Sequence, residues 1–353
     1  MKLSDISTFK REESHAYMAC MINDYLSFFQ TKGYQLHEPV KIASRIDPTV
    51  QFIGSHISVL KPYFMSQTLP EPGYVMTQPC VRTRNLKNYN DDSFLPNWGS
   101  MFHSLGTLAK PAHLQDVTAQ TYSLLTNVWG LKPDDIKVRI QSIDGDLYET
   151  SSKVFSPSSF EIDTKPGQYY RHKVGIDGVW GRNYNIAIRE GKTENFSDIG
   201  NVIILENKDT KLGIEIALGT STILKINKGL SHVLDCHPLL GLEKIENPAL
   251  KIKMEDCIIT SMALYHDGLL PSNAHITNRL MKKYMDTLAR LLPKTEMSID
   301  TLACILNRYE HREYGHAKPV YAQQMVSYLK KTSKGAPTPT IPTMVAGKSR
   351  ERC

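Results

Sequence analysis

The stretch Thr77–Pro111 reads TQPCVRTRNLKNYNDDSFLPNWGSMFHSLGTLAKP. An apolar run from Val75 to Arg82 leads into a polar loop rich in Asn, Asp and Lys, and a second apolar run, Met101 to Ala109, follows. The pattern predicts two antiparallel strands joined by a long loop. An Arg at the end of a strand, facing such a loop, is well placed to hold a phosphate or carboxylate, because its planar fork engages two oxygens at once. Phe102 on the return strand offers an aromatic face to a flat ring. On pattern alone the same hairpin also fits a surface Arg and a core Phe.

Working outward, the chain has 353 residues, enough for a large α/β core plus a smaller unit. Apolar residues make up 41% and charged residues 22%, a globular composition. The net charge of +6 permits a polyanionic partner without demanding one. Cysteines at 20, 80, 236, 257, 304 and 353 form no CxxC pair and no Cys/His ligand spacing. The expectation is reduced thiols in a cytoplasmic protein, with no metal site. No apolar run reaches about 18 residues and no signal peptide opens the chain, so neither a membrane span nor secretion is expected.

Residues 1–14 are polar and charged and read as a loose arm. Tyr17 to Gln30 has helical periodicity in Met18, Met21, Ile22, Tyr25, Leu26 and Phe29, stopped at Gly33. Asp47 to Phe64 reads as a turn, a short strand and a short helix. After the hairpin, Leu114 to Val128 reads as a helix and Ile136 to Ile140 as a strand. Residues 144–168, rich in Ser, Asp, Pro and Gly, read as a surface excursion. Val174 to Ile186 carries Gly175, Gly178 and Gly181, which suit a looped connection or close approach to a ligand. Asn201 to Leu205 and Leu212 to Leu218 read as buried strands. Glu215, between Ile214 and Ile216, either needs a buried partner or lies on a solvent face. Met254 to Leu292 is mainly helical, interrupted at 267–273, where Ser272 and Asn273 suit caps. Arg279, Lys282, Lys283 and Arg290 make the second helix partly basic, which also fits a solvated face. Ile299 to Lys331 is helical again, and a Pro-containing tail from Thr332 reads as disordered.

Gln78-Pro79-Cys80-Val81-Arg82 and Met101-Phe102-His103-Ser104-Leu105-Gly106-Thr107 together resemble motif 2 of class II aminoacyl-tRNA synthetases, in the alanyl version. Asp47, Pro48, Thr49, Phe52, Lys61, Pro62 and Phe64 fall in register with a second alanyl-type motif. The glycines at 175, 178 and 181 are similar in spacing to a third, where the family's Glu falls on Asn185. Asp198-Ile199-Gly200-Asn201-Val202 resembles the family's E-I-W-N-x-V. Ile214 to Thr222 sits where the family has V-D-T-G-M-G-L-E-R, so Thr222 replaces the motif 3 Arg. The resemblance runs from about 17 to about 292.

The resemblance implies an α/β (α+β) fold: a class II antiparallel sheet flanked by helices, followed by a helical domain. It divides the chain into an arm (1–14), a catalytic domain (15–235), a helical domain (236–331) and a tail (332–353). It implies ATP and Mg²⁺ as cofactors, and alanine-like amino acid activation as aminoacyl-adenylate. Arg82 and Glu215 are the implied catalytic residues. Arg82, Arg84, Lys87, Phe102 and Gly219 are implied to bind ATP. Asn201, Glu215, Trp180 and His103 are implied to bind the amino acid. Loss of the motif 3 Arg would cost on the order of 2–4 kcal/mol of transition-state stabilisation unless Lys225, Lys228, Arg182 or Arg189 substitutes. The family's editing and C-terminal domains have no counterpart in the sequence, so a free-standing catalytic core is expected. The acceptor is then a tRNA, a small amine or a carrier protein. A binding module or an acyl transferase working from a pre-formed adenylate or aminoacyl-tRNA is the alternative.

Overall fold

In the computed structural model, described at residues 3, 6, 8–165, 167–208, 210–316, 318 and 320–335, a mixed sheet of nine strands carries the first two thirds of the chain. The elements in chain order are α1 (Ser14–Thr31), β1 (Gln35–Leu36), α2 (Ile57–Met65), β2 (Gly73–Val81), β3 (Met101–Ala109), α3 (Leu114–Ser123), β4 (Ile136–Gln141), α4 (Gly145–Ser152) and β5 (Phe160–Asp163). They continue as β6 (Arg171–Lys173), β7 (Trp180–Arg189), β8 (Phe196–Glu206), β9 (Lys211–Gly219), α5 (Thr220–Lys228), α6 (Pro248–His266), α7 (Ile276–Leu291), α8 (Ile299–Tyr314) and α9 (Tyr321–Gly335). The strand order is β1-β2-β3-β9-β8-β7-β4-β5, with β6 paired to β7. The central pairings are antiparallel, and β1–β2 and β4–β5 are parallel. The expected hairpin forms in full register, from Gly73 opposite Ala109 to Val81 opposite Met101.

Alternation along the strands assigns the two faces. Ile214, Ile216 and Leu218 of β9, Val202 and Ile204 of β8 and Leu105 of β3 join the core shared with α1, α3 and α5. On α1, Tyr17, Met18, Met21, Tyr25 and Phe29 follow the 3.6-residue period and are buried. Tyr25 Oη and Thr107 Oγ1 share a hydrogen bond of 2.6 Å between that helix and the sheet. The opposite face sends Met76, Cys80, Leu108, Ile203 and Leu205 against Val59, Leu60 and Phe64 of α2. The polar residues of the same face lie beyond that patch and line a cavity.

Several expectations change. The arm is not loose where described: Leu3 and Ile6 are buried in the core, and the Lys228 ammonium donates to both their carbonyls. Arg11 pairs with Glu255 at 2.9 Å. No strand forms within 47–64. Its apolar residues are held instead by loop bonds, such as the Val81 amide donating to the Ile53 carbonyl at 2.9 Å. The 144–168 excursion contains α4 and the edge strand β5, anchored by buried Leu147 and Phe155. Helix α3 continues as a π-helical turn over Leu124–Val128. The glycine-bearing loop gives way to β7 at Trp180. Neither Ser272 nor Asn273 caps α7, whose N-cap is His275 without a side-chain bond. Thr332 lies within α9, and the expected disordered tail otherwise falls outside the described residues after 335.

The helical region α6–α9 has its own core and holds the hairpin loop from the side. Asp256 of α6 is fully buried. It accepts from the Ser100 amide at 2.5 Å, from Ser100 Oγ at 2.6 Å and from the Tyr89 hydroxyl. Arg290 of α7 donates to the Tyr89 carbonyl at 2.5 Å, and Lys294 pairs with Asp92 at 2.6 Å. Lys253 of α6 donates to the Asp91 carbonyl at 2.5 Å, so three basic residues of this region grip the loop. Substituting Asp256→Ala leaves three buried donors unpaired and should destabilise the protein by about 2–4 kcal/mol in urea denaturation, with increased proteolysis within 83–100. An unchanged unfolding midpoint would show that the clamp contributes nothing.

Candidate active site

The cavity on the α2 side of the sheet has a volume of about 900 Å³. Its walls follow from strand geometry. Phe102 and Ser104 of β3, Asn201 of β8, and Glu215, Ala217 and Gly219 of β9 line it. Arg82 leaves the end of β2, and Arg84 sits in the turn that follows.

Glu215 is 3% exposed. His56, from the turn before α2, is fully buried, and its Nε2 lies 3.1 Å from Glu215 Oε1. That is an ion-pair distance without hydrogen-bond alignment. The other ring nitrogen, Nδ1, shares a 2.9 Å hydrogen bond with Ser104 Oγ. Among the described residues Glu215 accepts no side-chain hydrogen bond, so its oxygens retain capacity for a donor from the cavity. The imidazole fits there because residue 106 is glycine: a Cβ at Gly106 would lie 2.0 Å from His56 Cγ.

The cations differ in how far they are neutralised. Lys61 is committed to Asp47 at 2.6 Å and to Thr49 Oγ1 at 3.3 Å. Gly175, at φ +72°, packs against the same pair, and a Cβ there would meet Thr49 Oγ1 at 2.9 Å. Arg82 donates from Nε to the Gly54 carbonyl at 2.8 Å, and its guanidinium lies 4.8 Å from the centre of the Phe102 ring. Arg84 and Lys173 are exposed at the cavity. Among the described residues none of Arg82, Arg84 and Lys173 has a carboxylate within ion-pair distance. His172 of β6 is 3.3 Å from Asn201 Nδ2, and burial lowers its pKa, which favours the neutral ring.

The structure brings together Arg82, Arg84, Phe102, Asn201, Glu215 and Gly219, together with Thr222. It does not bring in three others. His103 points to the opposite face of β3. Trp180 donates from its indole to Glu206 at 3.1 Å, away from the cavity. Lys87 is exposed and is not a cavity-lining residue. None of the four cations considered as substitutes for the missing Arg reaches the cavity. Arg182 is engaged by Asp144, Asp146 and Glu206. Arg189 pairs with Asp135 and Glu194, and Lys228 donates to the Leu3 and Ile6 carbonyls. Lys225 also lies outside the lining. Asn185 is next to the site on β7, where it donates to Asp198 at 3.2 Å. The sequence reading missed His56, His172 and Lys173. The signal for the last two was their position just before the glycine-rich segment.

Residues 21–201, just over half of the chain, match the family model for class II (A) tRNA synthetases. The chain belongs to this family of class II tRNA synthetases. An alanine–tRNA ligase of Bacillus velezensis is 21% identical over 331 residues, covering 81% of this chain and 37% of that protein. A second, from Lachnoclostridium phytofermentans, is 27% identical over 158 residues, covering 44% of this chain and 18% of the ligase. The chain therefore spans less than two fifths of the length of these relatives. Among solved structures, a Staphylococcus aureus histidyl-tRNA synthetase aligns with a TM-score of 0.39 and 11% identity, over 61% of this chain and 70% of that one. The family match stops at Asn201. Glu215, Gly219 and Thr222 lie beyond it.

The fit of His56 beneath Gly106 can be measured. Gly106→Ala should destabilise the protein by about 1–3 kcal/mol, as overpacking does, and adding His56→Ala should restore much of the loss. Independent, additive effects of the two substitutions would show that the ring does not occupy this position.

Proposed function

We propose that the cavity binds ATP and a small, alanine-like amino acid and joins them as an aminoacyl-adenylate, with the acyl group then passed to a tRNA, a small amine or a carrier protein. The observation that carries this reading is the arrangement of charge. Three cations without carboxylate partners, Arg82, Arg84 and Lys173, share one cavity with a buried carboxylate that accepts no side-chain hydrogen bond among the described residues. Such a site suits a ligand pair that is polyanionic at one end and carries an ammonium at the other.

In this reading Arg82 holds the α-phosphate, with Arg84 and Lys173 along the triphosphate, and Phe102 presents its ring to the adenine. Glu215 receives the α-ammonium, and Asn201 orients the amino acid's carboxylate. One carboxylate oxygen attacks the α-phosphorus, the bond to the β-phosphate bridging oxygen breaks, and pyrophosphate leaves with the electron pair. No protein nucleophile is needed, because positioning and charge stabilisation supply the catalysis. Class II synthetases generally use Mg²⁺, which would neutralise phosphate charge. Glu215 is the one carboxylate among the cavity-lining residues and is already contacted by His56, so the protein's residues do not by themselves form a magnesium site.

Thr222 favours a second reading, a non-adenylating paralogue that binds an adenylate or aminoacyl-tRNA, because it stands where the family has the motif 3 Arg and none of Lys225, Lys228, Arg182 and Arg189 lines the cavity. Amino-acid-dependent ATP–pyrophosphate exchange distinguishes the two. Exchange is expected with alanine, serine or glycine, and Arg82→Ala should reduce it at least tenfold. ATP binding without exchange, across the standard amino acids and in folded protein, would overturn adenylation in favour of the binding reading.

A further inference from the structure

A second cavity, of about 350 Å³, lies behind β3, on the face opposite the candidate active site. It is enclosed by α1, β3, the end of α6 and the end of α8, and Met101 lines both cavities. We propose that it binds a small organic cation, a primary ammonium on a short apolar body.

The walls are largely apolar, with Met18 and Ile22 from α1, Ile42 from the loop before α2, and Ala263 from α6. Into this setting α8 brings Glu313, whose side chain is 6% exposed. Its Oε2 accepts no hydrogen bond, and the imidazole of His15 is 3.7 Å away. Its Oε1 lies 3.5 Å from His237 Nδ1, which is itself without a hydrogen bond. A buried carboxylate oxygen without a donor is costly, and an ammonium supplies both charge and N–H groups. Burial works against ionisation of Glu313, yet His15 and His237 outweigh it and hold the carboxyl down at about 2, so it is anionic at neutral pH.

Asp267, His103 and His266 do not compete with a cationic ligand. Asp267 is already occupied by the amides of Ile42 and Ala43, at 2.7 and 3.0 Å. Burial pushes both His103 and His266 down to about 4, so their rings are neutral acceptors. The His266 ring stacks on Tyr314 at 3.6 Å between centres, and its buried Nε2 has no hydrogen bond. His15, half exposed, is the counter-ion that a ligand would displace. The apolar walls disfavour a hydrated metal ion, and among the described residues no cluster has the makings of a metal site. The volume is that of a small-molecule pocket at the lower end of the usual range.

The test uses n-butylammonium as the probe, with n-butanol, butyrate and sodium chloride as controls. Isothermal titration and thermal unfolding should both show saturable binding of butylammonium to the parent protein and none of the controls. Glu313→Gln should weaken that binding at least tenfold. Ala19→Leu, which narrows the cavity from α1 and leaves Glu313 intact, should do the same and keeps the test decisive if the Glu313 variant does not fold. The proposal is overturned if the parent does not bind butylammonium, if butanol binds equally well, or if both folded variants bind like the parent.

Discussion

A buried carboxylate in the middle of a sheet, with one imidazole against it, is the constraint on which the rest of the site depends. Glu215 is almost wholly buried at its place on β9, so its charge requires a counterpart. His56 supplies that counterpart only because Gly106 leaves room for the ring and Ser104 fixes its other nitrogen. Two residues of β3 are thus chosen by a charge on the neighbouring strand. The contact is not aligned as a hydrogen bond, so the carboxylate is stabilised without being saturated. In the proposed reading, a carboxylate that receives an ammonium needs this intermediate condition. A fully paired carboxylate would have nothing to offer, and a lone one would favour protonation over burial of its charge.

The helical region completes the same design. Asp256 ties Ser100, at the end of the hairpin loop, and Tyr89, in its middle, to α6, while Arg290 and Lys294 hold Tyr89 and Asp92. Arg84 and Trp98 reach the cavity from a segment with only a short 3₁₀ turn of its own, so their positions depend on these anchors. Closing a loop of this length is an entropic cost that the buried hydrogen bonds offset. The helical region therefore contributes to the site even though none of its residues lines the larger cavity.

Much of this was legible in the sequence because local chemistry and long-range pattern agreed. The hairpin was legible as two apolar runs flanking a polar loop, and the strand bearing Glu215 as a buried strand, although its apolar neighbours left open whether Glu215 meets a buried partner or lies on a solvent face. The partner itself was not legible: His56 lies in a turn 159 positions away, and only the folded sheet brings them together. His103 was assigned to the site through family position, although alternation along β3 places it opposite Phe102 and Ser104. Trp180 fell to the same substitution of motif spacing for geometry. Helix α4 was hidden because Ser, Asp and Gly composition outweighed the few apolar residues that anchor it. The arm misled for the same reason, since Leu3 and Ile6 are isolated among polar neighbours.

The central claim is that Glu215 is reserved for a ligand's ammonium while the cations across the cavity hold its phosphate. Calorimetric titration with alanyl-sulfamoyl-adenosine, a stable mimic of the adenylate, against its counterpart lacking the α-amino group tests this most directly. The ammonium-bearing compound should bind the parent at least tenfold more tightly, about 1.4 kcal/mol, and the difference should vanish in Glu215→Gln. Equal binding of the two compounds to the parent, or binding of neither, would contradict the account.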